Sequence, residues 1–140
     1  MTCGSEQECL NSACVCNAGY YGPSGQTSCT ICPAGSYSAA DAANCSLCPA
    51  GTASPNPGAP SSASCVACLC GYYAAQRGQA YCTPCPEETY SLYTGQDTEN
   101  SCLQCPYAFY SYAGSCACLP CSENTDPSQF DQCQSGNTNQ

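Results

Sequence analysis

Apolar positions in this chain never settle into a helical rhythm. No segment sustains the 3.6-residue spacing of an amphipathic helix. Short patches recur instead, such as "SYS" at 36–38 and "TYSLY" at 89–93. They are rich in strand-forming residues and follow the opening cysteine of a loop, at 32–35 as a Cys-Pro-x-Gly start in which Pro fixes φ and Gly accepts φ > 0. The pattern predicts extended entry, turn, short strand and a Gly- or Asn-containing return, that is, a two-stranded ribbon. The expected fold is small, disulfide-rich and irregular with short β-hairpins. It is an elongated tandem array of cysteine-rich modules with little or no helix.

The array shows in the cysteines. Six Cys-x-x-Cys links occur: Cys29/Cys32, Cys45/Cys48, Cys65/Cys68, Cys82/Cys85, Cys102/Cys105 and Cys118/Cys121. Seven loops lie around them, starting at 16, 32, 48, 68, 85, 105 and 121, in steps of 16, 16, 20, 17, 20 and 16. The third residue after the opening cysteine is Gly19, Gly35, Gly51 or Gly71, then Glu88, Ala108 and Asn124. The fifth is Tyr21, Tyr37, Tyr73, Tyr90 or Tyr110, with Ala53 and Asp126 as exceptions. The pattern decays toward the C-terminal end. The Pro/Ser-rich stretch 53–64 favours extended polyproline II structure. It lies inside one loop, so it reads as a bulge on a module. The tail 134–140 is polar and is expected to be mobile.

Composition explains why the modules need staples. Six Leu, one Ile, two Val and two Phe are the only large aliphatics and Phe in 140 residues. That is too little to build a core without covalent help. The 19 cysteines admit three uses. Tandem Cys-x-x-Cys pairs can hold zinc, yet such domains bring His or a basic surface, and this chain has neither. A redox Cys-x-x-Cys sits at a helix N-terminus, and this sequence is helix-poor. Disulfides remain. Two cysteines three apart rarely bridge each other, whereas the loops between links close readily. The frame therefore pairs Cys16–Cys29, Cys32–Cys45, Cys48–Cys65, Cys68–Cys82, Cys85–Cys102, Cys105–Cys118 and Cys121–Cys133. Each bridge is worth about 3 kcal/mol in the chain-entropy picture. So many bridges indicate an extracellular or cell-surface, secreted protein. The start, "MTCGSEQEC", lacks a signal peptide's basic and apolar regions and reads as a mature or trimmed end.

Charge excludes partners. Ten acids face one base, Arg77, for a formal net charge of −9, with no Lys or His. Neither nucleic acid nor an anionic membrane surface suits that sign, and no apolar run reaches the roughly 20 residues of a membrane span. An enzyme is not expected, because the chain has no His as general base and no Lys for Schiff-base chemistry. The acids, such as Glu87-Glu88 and Asp97/Glu99, read as solubilising. The stretches 97–100 and 123–126 lack the spaced ligands of a calcium loop. No cofactor or metal is expected.

The stretch "CPAGSYSAADAANCSLCPAGTAS" resembles the cysteine-rich repeats of the ephrin-receptor-like type, in the style of tumour-necrosis-factor-receptor modules, as found in protist surface proteins. The resemblance covers Cys16 to about Cys121. "CVCNAGYYGPSGQTSC" (14–29) resembles the end of an EGF-like module. That resemblance independently implies Cys16–Cys29 and, by extension, Cys3–Cys14. The resulting division is an EGF-like end (1–29), tandem repeats (30–121), and a degenerate last module with a polar tail (122–140). Cys9, Cys70 and Cys116 remain outside. They are open either to a local pairing with one thiol left or to an interchain bond.

Asn44-Cys45-Ser46 fits an N-glycosylation acceptor whose middle residue is an expected bridge cysteine. Pro55, Pro57 and Pro60, with Ser54, Ser61, Ser62 and Ser64, suit O-linked or hydroxyproline glycans. The tyrosines read as rings on their own disulfides, or as a stripe that meets other subunits. The expected function is structural: a subunit or segment of an extracellular filament, coat or surface appendage, self-associating or bound to other extracellular proteins. The alternative is a receptor or adhesin ectodomain binding a protein ligand.

Overall fold

A computed structural model describes residues 3–10, 13–23, 28–123, 126, 127 and 133. Asn124 and the polar tail 134–140 lie outside them. Among the described residues, fourteen strands form seven two-stranded sheets. The first hairpin joins β1 (Gln7–Leu10) to β2 (Ala13–Cys16). The other six follow one plan: β3 (Tyr20–Tyr21) with β4 (Thr30–Ile31), β5 (Ser36–Tyr37) with β6 (Ser46–Leu47), β7 (Thr52–Ala53) with β8 (Val66–Ala67), β9 (Tyr72–Tyr73) with β10 (Thr83–Pro84), β11 (Thr89–Tyr90) with β12 (Leu103–Gln104), and β13 (Phe109–Tyr110) with β14 (Leu119–Pro120). Among the described residues, the named helical elements are the 3-10 turns Ser62–Ser64, Glu99–Ser101 and Cys121–Glu123. The fold is small, disulfide-rich and built on short hairpins.

Each of the six later hairpins begins with the same turn, which Cys-Pro-x-Gly encodes in the second and third modules. In the second module the Ser36 N–H and Oγ both donate to the Pro33 carbonyl, at 3.2 and 2.7 Å. Gly35 between them sits at φ +87°, the type II turn condition. Thr52 on Pro49 and Thr89 on Pro86 repeat the paired bonds.

The returning strand differs from the sequence expectation. It is not a Gly- or Asn-containing segment but the two residues inside each Cys-x-x-Cys link. Ser46 and Leu47 pair back onto Tyr37 and Ser36, and the Cys48 N–H then donates to the Gly35 carbonyl at 2.9 Å. The physical reason is closure: the disulfide brings Cys45 back to Cys32, so the residues after Cys45 run antiparallel beside those after Cys32.

The chain divides into two compact units, Met1–Val66 with Gln76–Tyr81, and Ala67–Ala75 with Cys82–Gln140. In each, sulfur and small side chains form the core. Unit one buries Val15, Cys16, Cys32, Cys48, Ala53 and Ala59; unit two buries Cys68, Ala74, Cys85, Cys105 and Tyr110. From Cys16 to Cys105, the opening cysteine of each module is the buried partner of its bridge. Tyr110 is buried and Tyr21, Tyr37, Tyr73 and Tyr90 are half-buried, while Tyr81, Tyr93 and Tyr107 are exposed.

Candidate functional site: the module seam

Nine disulfides link described residues. Cys3–Cys14, Cys16–Cys29, Cys32–Cys45, Cys48–Cys65, Cys68–Cys82, Cys85–Cys102, Cys105–Cys118 and Cys121–Cys133 are closed. The ninth takes the pairing alternative that the sequence left open beside an interchain bond: Cys70 and Cys116 bridge each other across 46 positions. Its cause is a contact between alternate modules that sequence spacing does not reveal. A Cβ on Gly71 would collide with the Gly114 carbonyl, and in unit one a Cβ on Gly19 or Gly35 would meet the carbonyls of Gly58 or Gly78. The turn of one module therefore lies on the loop apex two modules on. Cys70 and Cys116 flank that contact, with Cα atoms 5.0 Å apart.

These bridges account for eighteen of the 19 cysteines. Cys9, exposed on β1, is the remaining one. It stands opposite Cys14 in the hairpin register, and its Sγ lies 2.7 Å from Cys3 Sγ. The three sulfurs lie within 4.8 Å of one another. Thiolate coordination of a metal there would require reduction of the Cys3–Cys14 bridge.

Consecutive modules join by a repeated set of bonds. The N–H of the third residue donates to the carbonyl of the next module's sixth: Gly19 to Ser38, Gly35 to Ser54, Gly71 to Ser91 and Glu88 to Ser111. Those four serines are almost wholly buried, and none of their oxygens lacks a hydrogen-bond partner. Ser38 Oγ accepts from the Gly19 N–H at 3.1 Å and donates to the Tyr20 carbonyl at 3.0 Å. Ser111 Oγ donates to the Thr89 carbonyl at 2.7 Å. A second bond runs from each loop apex to the preceding module's opening cysteine: Asp41 to Cys16, Gly58 to Cys32, Gly78 to Cys48, Gly95 to Cys68 and Gly114 to Cys85, all at 2.7–2.9 Å. Every donor in this second set has positive φ. Sequence reasoning missed the serine and apex roles. Their signal was present as a Ser six residues, and a Gly (Asp41 in the second module) nine or ten residues, after the opening cysteine.

Asn44 and Ser46 are exposed on either side of half-buried Cys45. Pro55, Pro57, Pro60, Ser61 and Ser62 are exposed and Ser64 is half-buried. Ser54 is 2% exposed, a correction to its reading as a glycan carrier, because the module stack encloses it. Residues 54–60, Ser64 and Val66 line a cavity of about 410 Å³. Glu87 is exposed and Glu88 half-buried. Between exposed Asp97 and Glu99, Thr98 Oγ1 caps a 3-10 turn by accepting from the Asn100 N–H at 3.2 Å. The Tyr112 hydroxyl donates to Asp126 Oδ2 at 2.8 Å, and the Tyr112 ring meets Tyr110 edge-on at 5.8 Å. The carboxylate at its hydroxyl pushes the Tyr112 pKa up to about 12.

The turns, serine clamps and serial bridges have a counterpart among known families. The family model described as tyrosine-protein kinase ephrin type A/B receptor-like matches residues 19–65. Residues 19–65 are similar to the ephrin-receptor-like repeat. This segment runs from the first positive-φ turn to Cys65, the closing cysteine of the third module. No curated protein matches the chain. The ephrin-receptor-like repeat is a disulfide-stabilised module of extracellular type. Among the described residues, no helix is long and apolar enough to cross a membrane.

Proposed function

We propose that this chain is a structural segment of an extracellular filament, coat or surface appendage, and not an enzyme. One observation carries the reading: within each unit, module joins module by the same backbone bonds and the same buried serine. An interface whose donors and acceptors recur at fixed offsets accepts a further module wherever one is supplied. Low charge density, with eleven charged residues in 140, leaves surface for lateral packing. The partners are further copies of this chain or other extracellular proteins. The lack of His and Lys supports a non-catalytic role.

Sedimentation and electron microscopy of the oxidised chain test the proposal. Ordered polymers that lengthen with concentration are expected. A monomer at every concentration, with one localised patch for a protein ligand, would point to a receptor or adhesin instead.

A further inference from the structure

We propose that Asn44 is an N-glycan site whose occupancy is set by a race against closure of the Cys32–Cys45 bridge. The motif Asn44-Cys45-Ser46 has the residue types an oligosaccharide transferase needs. Both polar ends of the motif are exposed in the folded chain, so a glycan on Asn44 displaces nothing packed. The backbone through the motif is another matter. Ser46 is held in the hairpin against Tyr37. Cys45 is bonded to Cys32, which is wholly buried. Two residues before Asn44, the Ala42 carbonyl accepts from the Gly22 N–H at 3.0 Å, and Asp41 donates to Cys16 at 2.8 Å. A transferase must draw the tripeptide into its own groove, and here the bridge, the hairpin and the neighbouring module pin both flanks. The fold therefore tolerates the sugar but blocks the enzyme, which places transfer before oxidation.

Both competing steps act on the open chain. In transfer, Asn44 Nδ2 bonds to C1 of a lipid-diphosphate-linked oligosaccharide. The C1–oxygen bond breaks, the lipid diphosphate leaves with the electron pair, and the amide proton passes to a base on the transferase. In closure, the Cys45 thiolate attacks the disulfide of an oxidoreductase, and the Cys32 thiolate then displaces the enzyme sulfur. Two chain thiols become one disulfide while one enzyme disulfide becomes two thiols. Once closure wins, the motif is withdrawn.

The test is occupancy in a eukaryotic secretory system, with the full chain behind a heterologous leader and read by endoglycosidase-sensitive mass. The wild type is expected to be partly glycosylated, and Ser46→Ala unglycosylated. Cys32→Ser leaves the motif intact but removes the bridge, and should raise occupancy at least two-fold. Because this variant also loses the bridge's stabilisation, a brief pulse of membrane-permeant dithiol during synthesis of the wild type gives a second readout, and should raise occupancy likewise. Equal occupancy with and without the pulse, or no glycan in either protein, overturns the proposal. Polymerisation of a Ser46→Ala chain is read separately, so failure here leaves the structural role standing.

Discussion

At the third place after an opening cysteine, Gly19, Gly35, Gly51, Gly71, Glu88 and Ala108 all have positive φ, from +68° to +87°. The backbone is the same whether or not the residue is glycine, so the turn dictates the conformation and two side chains bear its cost. A non-glycine residue there costs about 1–2 kcal/mol, partly offset by glycine's greater freedom when unfolded. Glu88→Gly and Ala108→Gly should each stabilise the oxidised chain by about 0.5–1 kcal/mol, read as a higher melting temperature. Gly35→Ala should do the reverse by more than about 2 kcal/mol, since overpacking against the Gly78 carbonyl adds to the strain. Tyr112 gives a pH signature. Its pKa is raised from 10.0 to about 12 by the hydrogen bond to Asp126, with smaller contributions from partial desolvation and nearby charge. The stability it lends is fully present below pH 10 and fades as pH rises through about 12. Ultraviolet titration should show one late-ionising tyrosine that Asp126→Asn returns to the ordinary range.

Between residues and molecule stands the module, and here legibility divides cleanly. The local bridges were readable because an opening and a closing cysteine frame each loop, and short loops close easily. The turn was readable because Pro and Gly fix its dihedrals. The strand inside Cys-x-x-Cys was not: two residues such as Thr83-Pro84 carry no period, and only closure of the bridge aligns them with β9. Cys70–Cys116 was hidden for a related reason. It depends on contact between alternate modules, which leaves no mark on spacing within one. With the neighbouring bridges closed, the shortest covalent path between the two runs through Cys68–Cys82, Cys85–Cys102 and Cys105–Cys118 and spans about 14 residues, so this bridge is worth about 3 kcal/mol in the chain-entropy picture, like a local one. Replacing Cys70 and Cys116 together by Ser should therefore lower the melting temperature by roughly 10 °C, read by calorimetry of the oxidised chain. Non-reducing peptide mapping of the same Cys70→Ser/Cys116→Ser chain should still recover the other eight bridges.

For the whole molecule, stability rests on sulfur because apolar side chains cannot supply it. Ile31, Leu47, Val66, Leu69, Leu103 and Leu119, over half of the large aliphatics and Phe, are exposed by 44–69%. What is buried is mostly cysteine, serine and alanine. Cutting the backbone should therefore matter less than cutting a disulfide. Arg77, the sole Lys or Arg, is exposed in the loop closed by Cys68–Cys82. Trypsin should cleave only after Arg77. The product under non-reducing conditions should remain one species heavier by a single water, because Cys68–Cys82 and Cys70–Cys116 both span the cut. Its hairpin circular dichroism should persist, since the fold's covalent frame does not pass through that peptide bond alone. Reductant should then release two chains, 1–77 and 78–140, and abolish the remaining structure. Separation of the two chains before any reductant is added would show that neither of these bridges forms and that the fold does not rest on a continuous sulfur frame.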